Sequence, residues 1–300
     1  MDIRKIQAFA KVYEHASFSK AGKALYLSQP TISAHVASLE NELGLALFDR
    51  IGRTVVPTKA GEILYFHALR IFDAADLALS ELRTLQDRIT GQLDIGGSTI
   101  PANYILPEFF AVFCQEFPEV VLDLRVGDSE EIITAVRDNV LMLGVVGAVL
   151  DTPELTYEPI LQDRLVLVMT PELQRRFANT DTKTMLFTLP WIMREEGSGT
   201  RMAMVSALTR LDIDVRELKS VITVRNAGAM SRCIQAGMGA GITSASTVQR
   251  ALNTGRLIAV NVPDLSLERY FYVVYNKRRT LFPAAVCMIE FLQTRTGFKI

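Results

Sequence analysis

The segment Arg194-Glu195-Glu196-Gly197-Ser198-Gly199-Thr200-Arg201 carries the residue types that an anion site needs. Gly197 and Gly199 let the backbone turn and approach a ligand closely. Ser198 and Thr200 offer hydroxyl donors, and Arg201 brings a fixed positive charge. A helix beginning here would add unpaired N–H groups and the positive end of its dipole. A plain helix cap by Ser198 or Thr200 is the alternative, and capping is compatible with ligand contact. Glu195 and Glu196 oppose an anion unless they point outward or pair with Arg194. Ser98-Thr99, Gly127-Asp128-Ser129 and Gly147-Ala148 also follow strand-like runs, where ligands of open α/β sheets bind. Asn226-Ala227-Gly228-Ala229 and Met238-Gly239-Ala240-Gly241-Ile242 are weaker candidates that serve equally well as tight turns.

A second set of polar residues lies near the start of the chain. Ile32, Val36 and Leu39 recur at spacings of four and three and define one buried helical stripe. The opposite face carries Gln29, Thr31, Ser33, Ala34, His35 and Ser38, small polar side chains that a DNA major groove admits. Ser33 is best placed to reach a base. Ser19 is expected to cap the helix that precedes. Ser28 caps this one, with Gln29 and Pro30 in a first turn where a missing N–H costs nothing. Phe48 to Pro57 reads as a short hairpin turning at Gly52, from which Arg50 and Arg53 reach phosphates or the minor groove.

The elements that position these groups follow in order. Thr58 caps a long helix in which Leu64, Ala68, Ile71, Ala75, Ala78, Leu82, Leu85 and Ile89 alternate at spacings of four and three. That heptad seam pairs two helices, with packing on its own domain as the alternative. Beyond Thr90-Gly91, strand and helix patterns alternate, from Gln92–Gly97 through Val120–Val126, Leu141–Val146, Leu165–Met169, Trp191–Met193 and Val221–Val224 to Phe271–Tyr275. That rhythm implies parallel α/β packing in two lobes.

The chain of 300 residues has a net charge of −1 that hides an asymmetry. Residues 1–60 hold eight Lys/Arg against five Asp/Glu, and the remainder holds 24 against 28. A modestly basic head on an acidic body fits nucleic-acid contact at one end. Cys114, Cys233 and Cys287 show no metal spacing and read as buried structural thiols rather than a redox pair. The three histidines, His15, His35 and His67, all lie in the N-terminal part, so the α/β body lacks the commonest general base. No phosphate-cradling G-x-x-x-x-G-K-[ST] loop and no nucleophile elbow occurs. No enzyme, cofactor or metal site is expected, and the chain shows neither a membrane-length apolar run nor a signal segment, which predicts a cytoplasmic protein.

The residues Ala16-Ser17-Phe18-Ser19-Lys20-Ala21, Leu27-Ser28-Gln29-Pro30-Thr31-Ile32-Ser33, Leu39-Glu40, Leu43-Gly44, Leu47-Phe48-Asp49-Arg50 and Thr58-Lys59-Ala60-Gly61 resemble the winged helix-turn-helix of LysR-type transcriptional regulators. The resemblance implies three parts. They are a DNA-binding domain over 1–58, a linker and dimerisation helix over 59–89, and a two-lobed effector domain over 90–300 of the periplasmic-binding-protein type. The first lobe takes about 90–162 and 268–300, the second about 163–267, with crossings near 160–165 and 264–270. DNA contact falls to Ser28, Gln29, Pro30, Thr31, Ser33, His35, Arg50 and Arg53. A small anionic effector falls to Ser98, Thr99, Ser129, Gly147, Ser198, Gly199, Thr200, Arg201 and Asn226. The implied partners are double-stranded DNA, the effector, further copies of the chain in a dimer or a tetramer of dimers, and RNA polymerase. Many relatives carry arginine where this chain has His35, which weakens phosphate attraction or alters base preference. The pairing of Gly97–Pro101 with Glu196–Arg201 is similar to the CysL-like branch, linked to sulfur or selenium metabolism. A two-lobed solute-binding protein and a redox-sensing regulator are the rival readings.

Overall fold

The computed structural model describes residues 2–296 apart from 52–53, 85–88, 263–264 and 266, with the backbone alone at 50, 51, 54, 80, 81, 83 and 84. It forms two compact units, Met1–Leu79 and Ser80–Ile300.

The first unit begins with α1 (Ile3–His15), α2 (Phe18–Ala24) and α3 (Gln29–Leu43). Ser17, not Ser19, caps α2 by accepting the Lys20 N–H, because Ser17 is still extended while Phe18 has already entered the helix. Ser28 caps α3 as expected, and Pro30 sits in its first turn. Ile32, Val36 and Leu39 are fully buried against Phe9, Val12, Ala21 and Phe48. Gly22 permits the tight approach of the turn before α3, since a Cβ there would lie 2.7 Å from the Leu27 carbonyl oxygen. The strands β1 (Phe48–Ile51) and β2 (Thr54–Pro57) form the antiparallel wing.

Glu40 of α3 fixes where the wing starts. Its Oε1 accepts the N–H groups of Leu47 at 2.7 Å and Phe48 at 3.3 Å. Bonds to a charged acceptor contribute more than neutral ones. Glu40→Ala is therefore expected to destabilise this unit by about 2–3 kcal/mol in chemical denaturation. An unchanged midpoint would remove Glu40 from this role.

Thr58 caps α4 (Lys59–Thr84) by accepting the Gly61 N–H at 3.1 Å. The heptad seam is only partly free. Ala68 is buried and Leu64 packs on the core of the first unit, whereas Ala78 and Leu82 are exposed. Ile89 has left the helix and packs on the core of the second unit, and Leu85 lies outside the described residues. Ile63, Phe66 and Leu79 extend the exposed apolar surface of α4.

The second unit starts with β3 (Gly91–Ser98), a π-helical turn over Pro101–Ile105, α5 (Leu106–Glu116), β4 (Val120–Gly127), α6 (Ser129–Arg137) and β5 (Leu143–Val146). The long β6 (Leu155–Met169) leads to α7 (Pro171–Arg176), α8 (Thr182–Thr188), β7 (Trp191–Arg194) and α9 (Gly199–Thr209). Then come β8 (Ser220–Val224), α10 (Ala227–Gln235), β9 (Gly241–Ser244), α11 (Ala245–Asn253), β10 (Ile258–Val260), β11 (Glu268–Asn276) and α12 (Pro283–Thr296).

Pairing shows that β6 belongs to both lobes. Its residues 155–164 pair with β11, beside β5, β3 and β4. Its residues 165–169 pair with β9 and β10. Packing is thus mixed rather than parallel throughout. The pairs β3–β4, β3–β5 and β7–β8 are parallel, while β11 and β6 run antiparallel to their neighbours. Each lobe has its own core, one around Leu93, Ile95, Phe113 and Phe271, the other around Trp191, Leu167 and Met204. The Trp191 indole donates to the Leu186 carbonyl at 2.7 Å, so this fully buried ring leaves no polar atom unpaired.

Candidate functional site

The ends of β3, β4 and β7, together with the start of β11, bring four chain segments to one narrow pocket between the lobes. Its walls are Ser98, Thr99, Ile100, Asp128, Ser129, Arg194, Ser198, Gly199, Thr200 and Arg269. Two helices aim their N-termini at it. Asp128 caps α6 in a reciprocal box with Glu131, which leaves the Ser129 hydroxyl for the pocket. Ser198 occupies the cap position of α9, yet its side chain makes no capping bond. The hydroxyls of Ser98, Ser129, Ser198 and Thr200 are 2–6% exposed as residues, and none has a hydrogen-bond partner among the described residues. Each opens onto the pocket rather than being sealed off, so four donors facing one space can together receive an acceptor.

The lobes meet here at glycines. Glu130 N–H donates across to the Gly197 carbonyl at 3.2 Å. A Cβ on Gly199 would lie 2.7 Å from the Gly147 carbonyl, and one on Gly197 would lie 2.6 Å from an Asp128 carboxylate oxygen. Only glycine permits this approach.

Two buried guanidiniums flank the space. Arg194 donates to Glu195 through Nε at 2.8 Å and Nη2 at 2.6 Å, and Nη2 also reaches Thr99 Oγ1 at 3.2 Å. Glu195 therefore pairs inward while Glu196 is exposed, which resolves the conflict between these acids and an anion. Arg269 donates to Asp163 at 2.8 Å. Burial pushes the Arg269 pKa below its ordinary value; Asp163 opposes that, and the charge of nearby Arg194 adds to it. An arginine remains cationic even so.

The pocket gathers Ser98, Thr99, Ser129, Ser198, Gly199 and Thr200 from the anticipated residues, and three others stand elsewhere. Arg201 is turned away, its Nη1 donating to the Arg194 carbonyl at 2.9 Å, so it braces β7 instead of lining the pocket. Asn226 is exposed and caps α10 by accepting the Ala229 N–H at 2.7 Å. Gly147 adjoins the pocket as the backbone against which Gly199 packs. Arg269 and Asp163 carried no sequence signal, because only the register of β6 and β11 sets them opposite each other. The thiols also differ from expectation. Cys114 is exposed and Cys233 and Cys287 are half-buried, since Cys114 falls on the outer face of α5 despite its apolar neighbours.

In the first unit, Ser28, Gln29 and Pro30 are exposed at the start of α3, and Thr31, Ser33 and His35 are half-exposed along it. The Ser28 and Thr31 hydroxyls share a 2.8 Å hydrogen bond. Tyr26 was not anticipated. It stands 96% exposed in the turn before α3 with φ +56°, a conformation that glycine adopts far more readily. Of the wing cations, Arg53 and the Arg50 side chain lie outside the described residues. No described helix is long and apolar enough to cross a membrane.

Comparison with known proteins places both units. Residues 3–62 match the bacterial regulatory helix-turn-helix protein, lysR family, and residues 86–297 match the LysR substrate binding domain. The HTH-type transcriptional regulator CbbR of Rhodospirillum rubrum is 32% identical over 297 residues, covering 97% of this chain and 95% of the relative. The RuBisCO operon transcriptional regulator of Allochromatium vinosum is 30% identical, covering 97% and 95%. Full-length CbnR, solved in complex with its target DNA, shares the fold with a TM-score of 0.67 at 21% identity, covering 99% of this chain and all of that one. A helix-turn-helix head, a two-lobed effector domain and relatives of near-equal length make this chain a member of the LysR family of DNA-binding transcriptional regulators.

Proposed function

We propose that a small oxyanion, held between the lobes by Ser98, Thr99, Ser129, Ser198, Gly199 and Thr200, controls how the α3 face engages its operator. The observation that carries this reading is the set of four hydroxyls, on buried residues and without protein partners among the described residues, that converge on one pocket with two helix N-termini. Arg194 and Arg269 add cationic N–H groups to the same walls. The pocket has about 10 Å³, room for about one water, so a bare oxyanion needs less parting of the lobes than a bulky ester. A ligand of this kind acts only through unequal affinity for two arrangements of the domain.

On the DNA side, Gln29, Thr31, Ser33 and His35 read base edges, and Ser28 and Pro30 set the start of α3 against the backbone. Arg50 and Arg53 hold phosphates. Gln29→Ala and Ser33→Ala are each expected to weaken operator binding by about 1–3 kcal/mol and to relax base preference. Arg50→Ala with Arg53→Ala is expected to weaken all sequences alike and to reduce the salt slope by about 2. An unchanged salt slope in that double variant excludes the wing from phosphate contact.

Self-association through α4 is part of the reading, supported by the exposed Leu79 and Leu82, and two such dimers make a tetramer. RNA polymerase is the further partner of the DNA-bound assembly. Within the family, a sulfur- or selenium-linked role is the narrower reading, whereas the two relatives named above are a CbbR and a RuBisCO operon regulator. Gel-shift binding to the chain's own upstream DNA decides between them. Sulfite, sulfate, selenite, selenate, phosphate, acetylated serine and a series of phosphate esters are titrated in parallel. A shift altered by a bare oxyanion supports the reading; one altered by esters alone moves the effector class, and insensitivity to all of them overturns the pocket assignment.

A further inference from the structure

Arg269 stands on β11 where the chain returns from the second lobe, and its cross-strand partner is Asp163 on β6. Its Nη1 also reaches the Gly147 carbonyl of the first lobe at 3.4 Å. Both carboxylate oxygens of Asp163 are engaged. Oδ2 accepts from Arg269 at 2.8 Å, and Oδ1 accepts from Ser244 Oγ at 2.5 Å. Ser244 Oγ in turn accepts the Ser246 N–H at 3.2 Å and so caps α11. A buried line of contacts therefore leads from the pocket wall to the start of a second-lobe helix that does not line the pocket.

An anion entering the pocket would be a second negative partner for a guanidinium that already has one. Two anionic groups sharing one cation weaken each other's hold, and the effect is reciprocal. We infer that Asp163 is the internal counter-ion with which the effector anion competes for Arg269, and that this competition carries pocket occupancy to the α11 cap. The inference rests on the pocket being the oxyanion site. It gives Asp163 a positioning role with a distinctive sign: removing its charge strengthens ligand binding. An aspartate that merely held Arg269 in place would do the reverse.

The test titrates the full chain by calorimetry with inorganic phosphate and with sulfate, in the wild type and in Asp163→Asn. Whichever anion binds the wild type is expected to bind Asp163→Asn about tenfold more tightly. Equal or weaker binding by a folded variant overturns the competition and leaves the oxyanion site standing. Should the variant fail to fold, hydrogen exchange of the wild type decides. Saturating anion is then expected to change exchange over residues 244–248 severalfold, and an unchanged rate there overturns the inference. If neither anion binds the wild type, the oxyanion reading falls and this inference falls with it.

Discussion

Replacing Gly199 by alanine is expected to lower oxyanion affinity about tenfold or more, and Gly199→Leu to bring it below detection. The first atom beyond Cα at this position would lie 2.7 Å from both the carbon and the oxygen of the Gly147 carbonyl and 2.8 Å from Ser129 Oγ. Two of those three atoms are backbone on the opposite lobe, so no side chain can rotate away to make room. The gap between the lobes must widen, and donors from Ser129 and Ser198 then no longer converge. Each hydrogen bond to a charged acceptor that is lost in this way costs about 1.5–3 kcal/mol. Calorimetric titration with the anion that binds the wild type checks this, and a thermal scan shows whether folding is intact. If Gly199→Leu binds that anion normally, the closed arrangement of the lobes is not the binding arrangement.

Glu195→Ala is expected to destabilise the second unit by about 3–5 kcal/mol in urea unfolding. Arg194 and Glu195 are adjacent in sequence and nearly sealed from solvent, with side-chain exposures of 2% and 9%. Deleting the carboxylate leaves a guanidinium buried with the Thr99 hydroxyl as its one side-chain acceptor among the described residues. Replacing both partners by apolar residues of similar size removes that orphaned charge. Arg194→Met with Glu195→Leu is therefore expected to be more stable than Glu195→Ala alone. The opposite order would mean that the pair stabilises the unit outright. The double variant also loses a pocket cation, so its anion affinity is expected to fall even where stability recovers.

These two sites show what could be read in the chain and what could not. The hydroxyls of Ser98, Ser129, Ser198 and Thr200 were legible because each stands where a strand-like run gives way to a helix, and that local grammar fixes where such residues point. The capping of α3 and the buried stripe Ile32, Val36 and Leu39 were legible for the same reason. The fold class followed from the motif set of the head and the strand–helix rhythm behind it. Arg269 and Asp163 were hidden because their meeting depends on the register of two strands more than 100 residues apart. Arg201 and Asn226 were placed in the pocket by type and neighbourhood. Each has a nearer partner in its own segment, the Arg194 carbonyl and the Ala229 N–H, and local hydrogen bonds of this kind outcompete longer reaches. The seam of α4 was legible as a period, but period alone does not say that Ala68 is already buried within the single chain.

The strand β6 runs unbroken from Leu155 to Met169 and is stitched into both sheets, so the lobes are joined by a torsion bar and not by a slack tether. Such a bar stores elastic work when it is wound and returns it when released. Small rotations are then inexpensive, and wide gaping would tear ladder bonds on one side or the other. The domain is consequently suited to report occupancy as a change of angle, with a stroke bounded by the stiffness of β6 and of the second crossing that returns into β11. In an assembly of such chains, any larger displacement would come from leverage, through copies that add up the same small turn.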